Sequence, residues 1–217
     1  MPRFRPVGPD ELVTHVTAVV TTAVVAPPGR TTRVLVDGAP ATDPHALADA
    51  LVDPLRTLGR APLRIRAESF WRDASLRLEY GRHDELSYYD GWLDTGALER
   101  EVLTPLGPGG DATWLPSLRD PVTNRSTRAV REPAPPGAVL LLSGSLLLVP
   151  DELGNLPLEA DVVVHLTASG AALARRTPDD DAWTLPVFAR YDREARPATR
   201  ADVVVRVEDP RHPALAL

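Results

Sequence analysis

Short apolar runs alternate with helical stretches along this chain, and that alternation constrains its fold more than any other feature. Thr32 to Val36 is a β-branched run ending at Asp37-Gly38. Pro44 then opens a stretch in which Leu47, Ala50, Leu51, Leu55 and Leu58 recur at helical spacing before Gly59. Leu63 to Ala67 suits a second strand, Gly96 to Leu103 a helix, and Ala138 to Leu142 a buried strand ending at Ser143-Gly144. Asp161 to Leu166 and Val203 to Val207 read as further strands, with a helix over Ser169 to Arg176 between them. Upstream, an apolar stretch from Leu12 to Val25, opened by Pro9 and Asp10 and closed by Pro27, Pro28 and Gly29, predicts a preceding helix. Pro105 to Pro136, rich in Pro, Gly, Asp and Arg, predicts a surface loop. Strands separated by helices pair in parallel, so the expectation is an α/β fold of three layers around a mostly parallel sheet. At 217 residues and 43% hydrophobic, the chain suits one domain over 1–217, with residues 1–30 as a helical N-terminal extension.

In open parallel sheets ligands bind beyond the carboxyl ends of the strands, so Asp37–His45, Glu68–Arg72 and Ser143-Gly144 should share one crevice. The first of these turns lies between a strand and a helix, where backbone amides and the helix dipole can cradle phosphate. Its spelling is Gly38-Ala39-Pro40-Ala41-Thr42-Asp43-Pro44-His45. Against the phosphate-binding pattern Gly-x-x-x-x-Gly-Lys-(Ser/Thr), only Gly38 is kept. Asp43 stands for the second glycine, Pro44 for the lysine and His45 for the hydroxyl residue. Losing a charge-assisted lysine contact forfeits about 1.5–3 kcal/mol. A carboxylate beside phosphate adds repulsion on the order of a few kcal/mol. Together these weaken triphosphate binding by about a hundredfold or more, and Pro44 also removes an amide donor.

The order of several pieces resembles the uridine kinase family, more closely its actinobacterial uridine kinase-like proteins, over roughly residues 31–210. The pieces are Val34-Leu35-Val36-Asp37-Gly38, Glu68-Ser69-Phe70-Trp71-Arg72, Trp114 to Asp120, Pro135 to Gly144, Ala174-Arg175-Arg176, Arg190-Tyr191 and Ala201-Asp202. The resemblance implies a P-loop kinase fold with a degenerate phosphate turn, in which Gly38, Ala39, Thr42, Asp43, Pro44 and His45 would face the nucleotide. It implies that Glu68, where an aspartate is usual, accepts a proton from a nucleoside 5′-hydroxyl. Arg175 and Arg176 would neutralise the transferring phosphate. Phe70, Trp71, Tyr88 and Tyr89 would wall the base, with Asp90, Asp120 and Arg190 also in the substrate region. Residues 177–200 would be the lid, although Asp179, Asp180 and Asp181 weaken a phosphate-binding field there. An active enzyme of this kind would use Mg2+ with ATP or GTP; an inactive one would need no cofactor.

Two functions follow. One is a divergent phosphotransferase acting on a nucleoside or similar hydroxylated small molecule. The other is a pseudokinase, a binding or scaffolding domain of the same fold that transfers nothing, and the turn without lysine favours it. Plainer structural roles compete at single positions: His45 as a helix-start residue, Glu68 as a solvated strand end, Arg175 and Arg176 as a helix end favoured by its dipole, and His165 as a core residue. Asp43-x-His45 alone is too sparse for a metal site. All 24 basic residues are arginine, and the net charge of −6 argues against a nucleic-acid partner. Cysteine is absent, which excludes disulfides, thiolate metal sites and a thiol nucleophile. The longest apolar run, Val13 to Val25, is too short to span a bilayer, so the expectation is a cytoplasmic protein, compatible with homo-oligomer formation.

Overall fold

A computed structural model describes residues 3–23, 29–151, 153–156 and 158–217. Five parallel strands make the body of the main sheet: β2 (Thr32–Gly38), β3 (Pro62–Arg66), β6 (Val139–Gly144), β7 (Val162–Thr167) and β8 (Val203–Arg206). Two antiparallel strands, β1 (Phe4–Pro6) and β9 (Ala214–Ala216), extend it, giving the order β1-β9-β8-β7-β2-β6-β3. Strand β2 is central, pairing in parallel with β6 through Val34↔Leu141 and with β7 through Val34↔Val162.

Side-chain alternation along these strands divides the core in two. Val34, Val36, Leu141 and Val164 pack on one face with Leu12, Val16, Leu47, Leu51 and Leu55. Those residues come from α1 (Pro9–Thr22), α2 (Pro44–Ala50) and α3 (Val52–Thr57), with Leu51 at the junction of the last two. Leu35, Ile65, Leu140 and Leu142 face the other way, against Leu98, Leu103, Leu106, Phe188 and Tyr191. Their cover runs from α5 (Thr95–Leu98) through a wide turn at Glu99–Leu103 into α6 (Thr104–Leu106), and continues in α8 (Leu185–Glu194). The short α4 (Ala74–Arg77) lies between β3 and α5, and α7 (Gly170–Arg176) between β7 and α8. The result is the expected three-layer arrangement, because strands buried on both faces need apolar cover on each.

Elements with sequence periodicity lie close to where it placed them. Asp43 caps α2 by accepting from the Ala46 N–H at 3.0 Å, and Ser169 caps α7 by accepting from Ala172 at 3.2 Å. Helix α1 begins at Pro9 and ends at Thr22; the proposed stop at Pro27-Pro28 lies outside the described residues. Strands β1 and β9 have three residues each, too few for a two-residue period to show, and they join the two ends of the chain. The long loop after α6 contains a small antiparallel pair, β4 (Thr113–Trp114) with β5 (Glu132–Pro133). The charged segment 177–200 contains α8, whose Pro186 sits in the first turn, where no amide partner is required.

One carboxylate ties the carboxyl edge of the sheet together. Asp37, near the end of β2, is wholly buried. Its Oδ1 accepts the Leu147 N–H at 3.0 Å, and its Oδ2 accepts from the Tyr191 hydroxyl at 2.9 Å and from His165 Nδ1 at 2.7 Å. The Tyr191 oxygen in turn accepts the Leu148 N–H at 3.0 Å. Strands β2 and β7, the turn after β6 and helix α8 thus meet at one group. A second constraint is Gly144, at the end of β6, where an added Cβ would lie 2.5 Å from the Ala67 Cβ, so the turn leaving β3 can pass close by.

Replacing Tyr191 by Phe strands the Leu148 amide and removes a donor from Asp37, with an expected loss of about 1–3 kcal/mol in urea unfolding. Gly144→Ala forces Ala67 aside, and overpacking of this kind costs about 1–3 kcal/mol; the unfolding midpoint should fall with no change in the slope of the transition.

Candidate ligand crevice at the carboxyl edge of the sheet

The turn after β2 closes on itself. Pro40–Thr42 form a single 3₁₀ turn, in which the Thr42 N–H bonds to the Ala39 carbonyl at 2.8 Å and the Asp43 N–H to that of Pro40 at 3.0 Å. The Thr42 hydroxyl also donates to the Ala39 carbonyl, at 2.7 Å. Asp43 adopts the left-handed conformation, φ 55°, which aspartate tolerates better than most side chains. Pro40 and Pro44 have no N–H to offer. Ser145, just beyond the neighbouring strand β6, fastens the turn by donating to the Gly38 carbonyl at 2.8 Å.

His45, the second residue of α2, bridges β6 and the turn after β3. Its Nδ1 lies 2.7 Å from Ser143 Oγ and its Nε2 3.3 Å from Glu68 Oε1. Arg64 Nη2 donates to the same serine oxygen at 3.1 Å. A consistent proton assignment runs from Arg64 into Ser143, from the serine hydroxyl to His45 Nδ1, and from His45 Nε2–H to Glu68. Ser143 is fully buried, so this Ser-His-Glu chain has no accessible nucleophile. Glu68 Oε2 is buried and has no hydrogen-bond partner among the described residues.

Two clefts meet at Glu68. The first, of about 580 Å³, lies between the turn after β3 and helix α8, with Trp71, Tyr88, Tyr89, Asp90 and Arg190 among its walls. The second, of about 450 Å³, runs from Ala39-Pro40-Ala41 to the segment beyond α7 and includes Arg176, Asp181, Trp183 and Phe188. Glu68, Trp71, Tyr88 and Trp92 border both. The aromatic rings brace one another edge-on: Tyr88 lies 4.9 Å from Trp92 and 5.3 Å from Trp183, and Trp71 lies 5.2 Å from Trp92. The buried Arg77 guanidinium sits 4.9 Å from the Trp71 ring and 4.8 Å from that of Trp92.

Charge around these clefts is mainly negative. Burial, reinforced by the charges of Glu68 and Asp181, pushes the Tyr88 phenol well above its ordinary range. Burial also raises the Asp90 carboxyl, partly offset by Arg190. Arg190 stacks over Tyr89 at 4.0 Å and donates to Glu194 at 2.8 Å.

Of the residues singled out from sequence, Ala39, Glu68, Trp71, Tyr88, Tyr89, Asp90, Arg176 and Arg190 border the clefts. Gly38, Thr42, Asp43, Pro44 and His45 form the adjoining turn and helix start. Three others lie elsewhere. Phe70 is fully buried in the apolar core, because the turn after β3 rotates it inward while Trp71 faces the cleft. Asp120 is exposed and is spent accepting the Val122 and Thr123 N–H groups of its own turn. Arg175 is exposed on α7 and borders neither cleft, whereas Arg176 reaches back to donate to the Val207 carbonyl at 2.7 Å. Sequence reasoning missed Trp92 and Trp183 as walls and Asp37 as the anchor beneath. For the tryptophans the scarcity of aromatics, 5% of the chain, was an available signal; for Asp37 nothing local distinguishes it.

No family model matches this chain, and no curated protein matches it in sequence. Solved structures match it in fold. A possible uridine kinase from Bacillus stearothermophilus superimposes with a TM-score of 0.66 at 16% identity, over 90% of this chain and 97% of that one. A candidate fructose transport system kinase from Silicibacter sp. TM1040 gives 0.61 at 19% identity, over 87% and 94%. D-glycerate 3-kinase from Cryptococcus neoformans gives 0.53 at 14% identity, over 86% and 87%. With a mostly parallel seven-stranded sheet, helices on both faces and a strand-turn-helix opening onto the shared crevice, this chain has the fold of the uridine kinase-like P-loop kinases.

Proposed function

We propose that this protein is a pseudokinase of the uridine kinase-like fold: a domain that binds a small hydroxylated molecule in the crevice and does not hold a nucleoside triphosphate at the turn after β2. The observation that carries this reading is the state of that turn. A phosphate cradle needs amides directed outward, a glycine that opens the loop, and a cation. Here the Thr42 and Asp43 amides are bonded within the turn, Pro40 and Pro44 lack the donor, and the Asp43 carboxylate caps α2 where a triphosphate would need positive charge. His45, at the position of the hydroxyl that would meet magnesium, is engaged with Ser143 and Glu68. These residues do not fit Mg2+-ATP or Mg2+-GTP. The walled cleft beside Glu68 remains available for a small molecule, and the solved structures of like fold include kinases named for uridine, fructose and D-glycerate, all hydroxylated compounds.

One observation favours the other reading, a divergent phosphotransferase with Glu68 as base. Glu68 stands where the two clefts join, so an acceptor hydroxyl in one would face a reacting group in the other. Against it, Arg175 lies outside the clefts, Arg176 commits an N–H to the Val207 carbonyl and Arg190 is paired with Glu194, so no cation among the described residues is held ready for a transferring phosphoryl group.

Calorimetric titration with Mg2+-ATP and Mg2+-GTP should give no binding heat, and neither should raise the melting temperature; γ-labelled ATP should leave uridine and cytidine unlabelled. Micromolar nucleotide binding or measurable transfer, abolished by Glu68→Gln, would sink the pseudokinase reading. The triple variant Asp43→Gly, Pro44→Lys, His45→Thr should gain ATP affinity by about two orders of magnitude if charge and amide loss at the turn are the reason.

A further inference from the structure

Acidic groups outnumber basic ones in both clefts, and the bases are already engaged. Around the larger cleft, Glu68, Asp90, Asp151 and Glu194 stand against Arg190, with Arg193 also paired to Glu194 at 3.1 Å. Arg190 donates to Glu194 at 2.8 Å, lies 3.8 Å from Asp90 and covers the Tyr89 ring. In the adjoining cleft Glu68 and Asp181 face Arg176, which the Val207 carbonyl holds at 2.7 Å. A phosphorylated or carboxylated ligand entering here meets net repulsion.

Glu68 is the focus of this field. Its Oε1 is met by His45, and its Oε2 is buried without a hydrogen-bond partner among the described residues, while the residue itself borders both clefts. With one oxygen left without a donor, the Glu68 charge is compensated on one side only, and a cation in the adjoining cleft is attracted to it. Beside it stand Trp71, Tyr88 and Trp92, an apolar aromatic wall against which a ligand ring can pack. A neutral hydroxyl could donate to Glu68, but only a cation would also offset the surrounding acids.

We infer that the crevice recognises a ring-bearing small molecule carrying a protonated amine, with the ammonium group beside the Glu68 carboxylate and the ring against the aromatic wall. This rests on the binding reading above and names its ligand class.

Matched pairs that differ only by amine for hydroxyl test it on the full chain: 5′-amino-5′-deoxyuridine against uridine, and glucosamine against glucose. Each is titrated calorimetrically in mildly acidic, low-salt buffer that keeps the amine protonated. The amine member of at least one pair should bind about tenfold tighter or more, and added salt should narrow the gap. Glu68→Gln, checked by its unfolding transition, should remove most of that preference; if the variant does not fold, the wild-type ratio and its salt dependence decide. Hydroxyl members binding as tightly as the amines would overturn the inference while leaving the pseudokinase reading intact. A preference that survives in folded Glu68→Gln overturns the placement on Glu68. Silence from all four compounds overturns the inference itself, and binding of Mg2+-ATP in the separate titration sinks the reading beneath it.

Discussion

A carboxylate sealed from water must find donors or lose its charge, and Asp37 finds three from three different parts of the chain. Because the Leu147 amide, His165 and Tyr191 all converge on it, the carboxyl ends of β2 and β7, the turn after β6 and helix α8 are held in one relative position. The crevice is built from the residues that follow these elements. Its shape therefore descends from a polar contact in the core. Packing alone would bring the layers together, but it would not select this one register of turns above the sheet.

The turn after β2 shows how a common frame can be given a different interior. Gly38 sits where the Thr42 hydroxyl and Leu166 leave no room for a side chain, so the strand ends and bends as the fold requires. From there the chain diverges. Prolines at two positions withhold amides, those of Thr42 and Asp43 bond inward, and an aspartate caps the following helix. Each of these choices makes the helix start sound without any ligand. His45 completes the substitution by crossing to Ser143 and Glu68, joining three strand ends through side chains.

The negative field of the crevice follows from where its few cations are held. Arg64 is held half-buried against the Leu141 carbonyl and Asp49, Arg77 between two indoles, and Arg190 against Glu194 and Tyr89. Guanidinium groups with planar, multidentate bonding suit such structural positions. Their charge is consumed within the protein, and the carboxylates near the clefts face the solvent with less compensation.

The five parallel strands and the helices between them were legible from apolar runs and their punctuation, because burial on both faces of a sheet demands near-continuous Val, Ile and Leu. The mismatch of the turn Gly38–His45 with a phosphate-binding pattern was legible too, because it is a matter of residue type over eight consecutive positions. The terminal strands β1 and β9 were not, since three-residue strands carry no period and are stabilised by one another across the whole chain. Nor could the sequence tell Trp71 from Phe70, adjacent aromatics of which one walls the cleft and the other fills the core, or show that Asp120 caps its own turn and Arg175 points away from the clefts. Residue type and spacing by themselves determined the layer architecture and the chemistry available at the first turn. Only the tertiary structure decided which charges neutralise one another and which remain facing the crevice, because that depends on distances between residues from four to a hundred positions apart, such as Arg190 with Glu194 and with Asp90.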